Sequence, residues 1–399
     1  MELSRAIDAG LTCSFRRRDA HPARLPAIPR LTTAFDDAAY RMQAGRSNDD
    51  PIPRPLAIQL AVHPDPERLI REIEETARHF DRDRDVIALQ VDATGAGASR
   101  MSDLAALTGS LERHFHFVPA PRRGFVAVLD PLALQPGELA ALGALGFDAV
   151  EFATDIASTE AALRALESAR KAGLRCAVEV NAPPDLAGQD LQVAIDALIA
   201  VRPDRLALSL PGEPQGDACK AVLQAAARLD AAGYSEVGLD PRPLSWLAPA
   251  GSQWIAGTLG GGDWAVPPTG ADVIGLGIGA MSRIGDCVVE SLADADAWAA
   301  AIDAGLLPVW RGCVLDTEER LRIDIVEEWL RRGEIPIDAI ERRYGIGFAG
   351  HFSTALQRLS GYAAEGLASI DSRAVRATSQ GRLLLRIMAE CFDHHPPRP

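Results

Sequence analysis

From residue 55 onward the chain alternates short apolar runs with stretches in which apolar residues recur every third or fourth position. The runs fall at 56–62, 86–91, 125–129, 149–152, 174–180, 205–208, 236–239 and 273–276. Near-continuous apolar runs of this length are the pattern of strands covered on both faces. The helical period occupies 66–80, 102–116, 137–145, 158–172, 189–201 and 218–232, as expected of helices with one buried stripe. Gly173 and Gly233 follow two of these stretches, where a helix end favours a left-handed residue. About seven strand-then-helix units in tandem predict an α/β fold with a parallel sheet curled into a partial or full (β/α) barrel.

The two ends read differently. Residues 1–50 mix arginines (Arg16, Arg17, Arg18), prolines and acids without a period, which predicts an irregular N-terminal extension. The barrel-like domain is expected over 51–286. Beyond it, helical patterns dominate at 294–304, 316–332, 337–344, 352–361 and 380–392, with a small β-wing over 367–378. This predicts a mostly helical, winged-helix-like domain over 287–399, with Trp310 packed between the two domains.

Composition narrows the partners. A hydrophobic share of 47% and a charged share of 24% are ordinary for a globular protein. A formal net charge of -14 disfavours nucleic acid and anionic membrane. No apolar run reaches membrane-spanning length,. The cysteines Cys13, Cys176, Cys219, Cys287, Cys313 and Cys391 show no C-x-x-C spacing, so buried, reduced thiols in a cytoplasmic protein are expected.

The stretch 272–286 reads D-V-I-G-L-G-I-G-A-M-S-R-I-G-D. Trp310-Arg311-Gly312, Leu321-Arg322-Ile323-Asp324, Gly381-Arg382-Leu383-Leu384-Leu385-Arg386 and Cys391-Phe392-Asp393 follow it in order. In these motifs the chain resembles the oxygen-independent coproporphyrinogen III oxidases of the radical S-adenosylmethionine (SAM) superfamily. The resemblance implies a barrel whose mouth holds a [4Fe–4S] cluster on C-x-x-x-C-x-x-C, and SAM beside it. Yet the strand over 55–63 meets Pro64-Asp65-Pro66-Glu67, a helix start, where the cysteine loop belongs. The family's glycine run is reduced to Asp92-Ala93-Thr94-Gly95-Ala96-Gly97; Val128 stands in an acid's place and Asp155 in a glutamine's. Cluster and SAM are therefore expected to be lost, and no catalytic residue carries over.

The loop Gly277, Ile278, Gly279, Ala280 and Met281 then reads as a vestige of the SAM-side wall. Its glycines come too late in the chain for a dinucleotide fingerprint and are expected to serve close packing. Glu179, Arg311, Arg322, Arg382 and Arg386 are candidates for holding a tetrapyrrole such as haem or a porphyrin, because guanidinium forks match propionates. His63, His114, His116 and His351 are weaker candidates for haem iron, and His394-His395 for a metal. The expected function is that of a catalytically degenerate homologue that binds a tetrapyrrole or regulates a protein partner in haem metabolism. The alternatives are an active coproporphyrinogen dehydrogenase, or a barrel recruited to acid–base chemistry by Asp92, Asp130, Asp155, Glu179 and Asp240 at predicted strand ends,.

Overall fold

The structure, a computed structural model, describes residues 31–62, 65–94, 100–120, 122–182, 188–209, 218–237, 243–248 and 270–392. His63, Gly95, Gly97, Asp240, Cys13 and the pair His394-His395 lie outside them, as do the side chains of Cys219 and Arg386. Strands β1 (Leu56–Ala61), β2 (Asp85–Asp92), β3 (His116–Phe117), β4 (Gly124–Leu129), β5 (Ala149–Asp155), β6 (Arg175–Asn181), β7 (Arg205–Ser209), β8 (Ser235–Val237), β9 (Pro243–Leu247), β10 (Asp272–Leu276), β11 (Met281–Ile284), β12 (Cys287–Ser291) and β13 (Val309–Val314) form one sheet. Helices α1 (Asp37–Asn48), α2 (Pro66–Ala77), α3 (Arg100–His114), α4 (Glu138–Ala144), α5 (Thr159–Lys171), α6 (Gly188–Val201), α7 (Ala218–Ala231) and α8 (Ala295–Asp303) accompany it.

The strand order is β13-β12-β11-β10-β1-β2-β4-β5-β6-β7-β9-β8, with β3 on β2. Strands β1, β2, β4, β5, β6 and β7 are parallel neighbours, as the tandem pattern predicts. Two placements differ from the sequence reading. The run at 273–276 does not extend the series but returns beside β1, parallel to it. The run at 236–239 becomes β8, which pairs antiparallel with β9 at the far edge. The main sheet also continues past residue 286, because β11, β12 and β13 add to it as antiparallel hairpins. In the stretch read as irregular, residues 37–48 form α1, capped by Asp36, with Tyr40 and Ala44 buried.

Side chains alternate across each strand. Leu56, Ile58, Leu60, Leu89 and Val91 join the large core shared with the helices, while Ala57, Ala88 and Val273 form a small cluster of their own on the inner face. The C-terminal region adds α9 (Thr317–Arg332), α10 (Ile337–Tyr344), α11 (Phe348–His351), α12 (Ser353–Ala364) and α13 (Leu385–Ala389). The expected wing is present: β14 (Glu334–Pro336), β15 (Ala368–Ile370) and β16 (Ala374–Ala377) make a second sheet. Helix α9 opens on a capping box in which Asp316 and Glu319 satisfy each other's backbone N–H groups, and ends on Gly333 at φ 66°. Asp316→Ala is expected to cost about 1 kcal/mol in urea unfolding, the usual value of such a cap.

The 272–286 motif is used throughout by the architecture. A Cβ on Gly275 would lie 2.2 Å from the Met281 carbonyl oxygen, and one on Gly277 would lie 2.7 Å from that of Ala61. Glycine is what lets β11 and the end of β1 approach β10 so closely. Asp272 is buried and accepts from Arg84 Nη2 at 2.9 Å, from the Gly285 N–H at 2.9 Å and from Ser47. This joins α1, β2 and β10 at one end of the sheet. Met281 packs in a core cluster with Val288, Cys313, Leu315 and Ile323. Arg283 pairs with Glu327 and lies 3.6 Å from Asp324, and Asp286 lies 2.9 Å from Arg320, so the motif anchors α9.

Candidate functional site at the strand ends

The C-terminal ends of the parallel strands form the place where barrel chemistry is ordinarily built. Strand β1 ends at Ala61 and α2 begins at Pro66. The connection is Val62-His63-Pro64-Asp65. Asp65 caps the helix by accepting from the Arg68 N–H at 3.0 Å, with proline in the first turn,. Four residues, none of them cysteine, replace a motif that spans eight.

A [4Fe–4S] cluster needs thiolates brought together, and the cysteines among the described residues do not fit one. Cys176 is on β6, Cys287 on β12, Cys313 on β13 and Cys391 follows α13; all four are buried and outside any disulfide. Burial pushes the Cys176 thiol up to about 12 and raises Cys287 and Cys391 as well. These are protonated core thiols, the reverse of what a metal ligand requires. Among the described residues, no group of three or more His, Cys, Asp or Glu side chains is placed to hold a metal ion.

The inner face of the sheet carries polar residues that the sequence reading did not single out. Gln59 on β1 donates to Gln90 on β2 at 3.5 Å. Glu151 on β5 and Arg205 on β7 form an ion pair in which both side chains are 0% exposed. They reach each other across Ala177 of β6, which stands in register with both. The small alanine leaves the space, and the pair fills it. Glu151 Oε2 has no hydrogen-bond partner. No local pattern reveals this contact, since 54 residues separate the partners.

The candidate acids are spread along the strand ends. Asp92 accepts from the Thr94 N–H at 3.0 Å and its hydroxyl at 2.7 Å. Asp130 accepts from the Leu132 N–H at 2.8 Å. Both close their own turns. Asp155 faces Asn181 in register, and Glu179 stands between Ala153 and Ala207 on the inner face.

The candidate arginines are not brought together. Arg311 donates to Glu290 at 2.6 Å and stacks at 4.0 Å over Trp310, which is 39% exposed on β13 rather than packed between domains. Arg322 donates to Glu318 at 2.6 Å and to the Phe392 carbonyl at 2.7 Å. Arg382 donates to the Arg332 carbonyl at 3.0 Å and lies against Gly333. The histidines are also dispersed. His114 lies 3.9 Å from Glu74, His116 lies 3.1 Å from Asp85, and His351 lies 2.9 Å from Glu318.

The loop at 277–281 rests on a buried acid. Glu72, 2% exposed on α2, accepts from the Gly277 N–H at 3.1 Å and from Trp298 Nε1 at 3.1 Å. Burial pushes its carboxyl up to about 7, and the two N–H donors only partly offset that,. Tyr40, Ser282 and Ser291 surround a cavity of about 20 Å³ beside it, room for a single water. A glutamate within a strongly amphipathic helix gave no sign in the sequence of being inside.

No protein-family model matches the chain. The oxygen-independent coproporphyrinogen III oxidase of Pseudomonas aeruginosa is 26% identical over 367 residues, covering 83% of this chain and 78% of that protein. The enzyme of the same name from Salmonella typhimurium is 30% identical over 167 residues, 41% of this chain and 36% of its own length. Among solved structures, coproporphyrinogen III oxidase from Escherichia coli, described there as a radical SAM enzyme, superposes with a TM-score of 0.79 at 19% identity. That match covers 92% of this chain and 96% of the other. The chain thus has the radical SAM fold and resembles the oxygen-independent coproporphyrinogen III oxidases along most of its length, without the C-x-x-x-C-x-x-C motif.

Proposed function

We propose that this chain is a cluster-free relative of oxygen-independent coproporphyrinogen III oxidase that acts without radical chemistry, by engaging a protein partner in haem metabolism. The observation that carries this reading is the β1–α2 connection, which passes from strand to capped helix in four cysteine-free residues. Reductive cleavage of SAM requires a low-potential electron donor, and in a cluster that potential rests on thiolate ligation. The retained 272–286 motif supports the same reading, because its residues serve strand packing and the anchoring of α9.

A protein is favoured over a tetrapyrrole as the partner. Among the described residues, the arginines that could meet propionates, Arg311, Arg322 and Arg382, are spent on separate structural contacts. On the inner face, Arg205 is neutralised by Glu151.

Anaerobic reconstitution with iron and sulfide tests the proposal. The expected result is no bound iron above background and no charge-transfer absorption. About four irons per chain, together with turnover of coproporphyrinogen, would overturn it. Titration with haemin separates the two partner classes: an unchanged Soret band is expected, and a stoichiometric shift would replace the protein partner with a tetrapyrrole.

A further inference from the structure

Helix α5 is a ridge between two apolar grooves of opposite charge. Its residues Thr159, Glu160 and Leu163 line a cavity of about 830 Å³ shared with α6. Residues Ala161, Arg164, Ala165, Ser168 and Lys171, on the other flank, line one of about 560 Å³ shared with the 131–133 turn and α4. The spacing of three and four places each set on its own side of the helix. The first groove is rimmed by Asp155, Glu160 and Asp190, the second by Arg164 and Lys171. Each groove also carries a large exposed apolar side chain: Val193, 64% exposed, in the first and Leu132, 66% exposed, in the second. Paired apolar grooves with unmet side chains mark an interaction surface.

We propose that two copies of this chain associate about a two-fold axis through α5, each laying its α5 ridge in the acidic groove of the other. The symmetry decides the occupant. In a two-fold contact the same patch meets itself, so whatever faces α6 of one copy is the matching element of the other. With α5 of one copy seated between α5 and α6 of its mate, its flank toward α4 faces the mate's α6. That flank carries Arg164 and Lys171, and the mate's groove presents Asp155 and Asp190. The two contacts are equivalent and both are complementary. Leu132 and Val193 are covered together at the centre of each contact. Arg164 pairs within its own helix with Glu160 at 3.1 Å, but both side chains are largely exposed there, so the pair is readily exchanged for one across the interface. The basic groove lies on the outer helices, while the acidic groove reaches Asp155 and Asn181 at the ends of β5 and β6.

Sedimentation velocity on the full chain over a range of concentrations tests this, with a charge swap as the discriminating arm. The wild type is expected to show a species of twice the 42.5 kDa chain mass, weakening as salt is raised. Arg164→Glu/Lys171→Glu alone and Asp155→Lys/Asp190→Lys alone are expected to be monomeric, with thermal midpoints unchanged. Mixed one to one, they are expected to form a heterodimer, because one contact regains the original charges and the other becomes complementary with reversed sign. A wild type that stays monomeric throughout overturns the proposal. So does a dimer that survives either reversal, or a mixture that fails to associate. Val193→Asp tests the apolar centre of the contact: it is expected to lower association at least tenfold, and an unaltered dimer would contradict the docking geometry.

Discussion

Arg205→Leu is expected to lower the unfolding free energy by about 3–5 kcal/mol, while Glu151→Leu/Arg205→Leu together recover most or all of that loss. The reason is the asymmetry of buried charge. Removing the guanidinium leaves the Glu151 carboxylate, 0% exposed, on the inner face without its counter-ion. One Glu151 oxygen already lacks a partner, so little compensation is available. Removing both charges eliminates the desolvation cost of each and leaves two apolar side chains on either side of Ala177. Urea unfolding midpoints of the two variants at pH 7 provide the check. A double variant as unstable as the single one would show that the pair is held by more than mutual compensation. Cluster reconstitution of the double variant should match the wild type, since neither residue is offered as a ligand.

The second large effect is a pH dependence centred on Glu72. Its carboxyl titrates near 4.5 when unfolded and is pushed up to about 7 by burial in the folded protein. Between these values the folded state holds a proton that the unfolded state has released. The contribution of this group to stability is therefore fully present below about 4.5 and is lost as pH rises through about 7,. A difference of this size corresponds to about 3 kcal/mol. Glu72→Gln keeps an oxygen to accept from the Gly277 N–H and Trp298 Nε1 but removes the titration. The variant is expected to match the wild type near pH 4 and to exceed it by up to about 3 kcal/mol near pH 8. Urea unfolding at the two pH values measures both. An identical pH slope in the two proteins would rule out Glu72 as the titrating group.

Glu72 and the motif loop also bear on what the 272–286 stretch does in this chain. The Gly277 backbone is held from beneath by α2, its neighbour Gly275 is crossed by β11, and Arg283 and Asp286 tether α9. Substitution at these positions would disturb packing in this chain.

The sequence alone determined what depends on near neighbours. Apolar runs and helical periods located the parallel units from β1 to β7, because a residue's burial in a regular element follows from its spacing. Asp65-Pro66 marked a helix start, because caps act within one turn,. The missing cysteines were equally legible, being a matter of composition and spacing. Tertiary structure decided the rest. It put β10 beside β1 instead of after β7, and added β11–β13 beyond residue 286. It scattered the candidate arginines among unrelated carbonyls and carboxylates. It also buried Glu72 and joined Glu151 to Arg205 across a strand. Each of these results from pairing between residues far apart in the chain, and local periodicity carries no information about which distant partner a charge will meet.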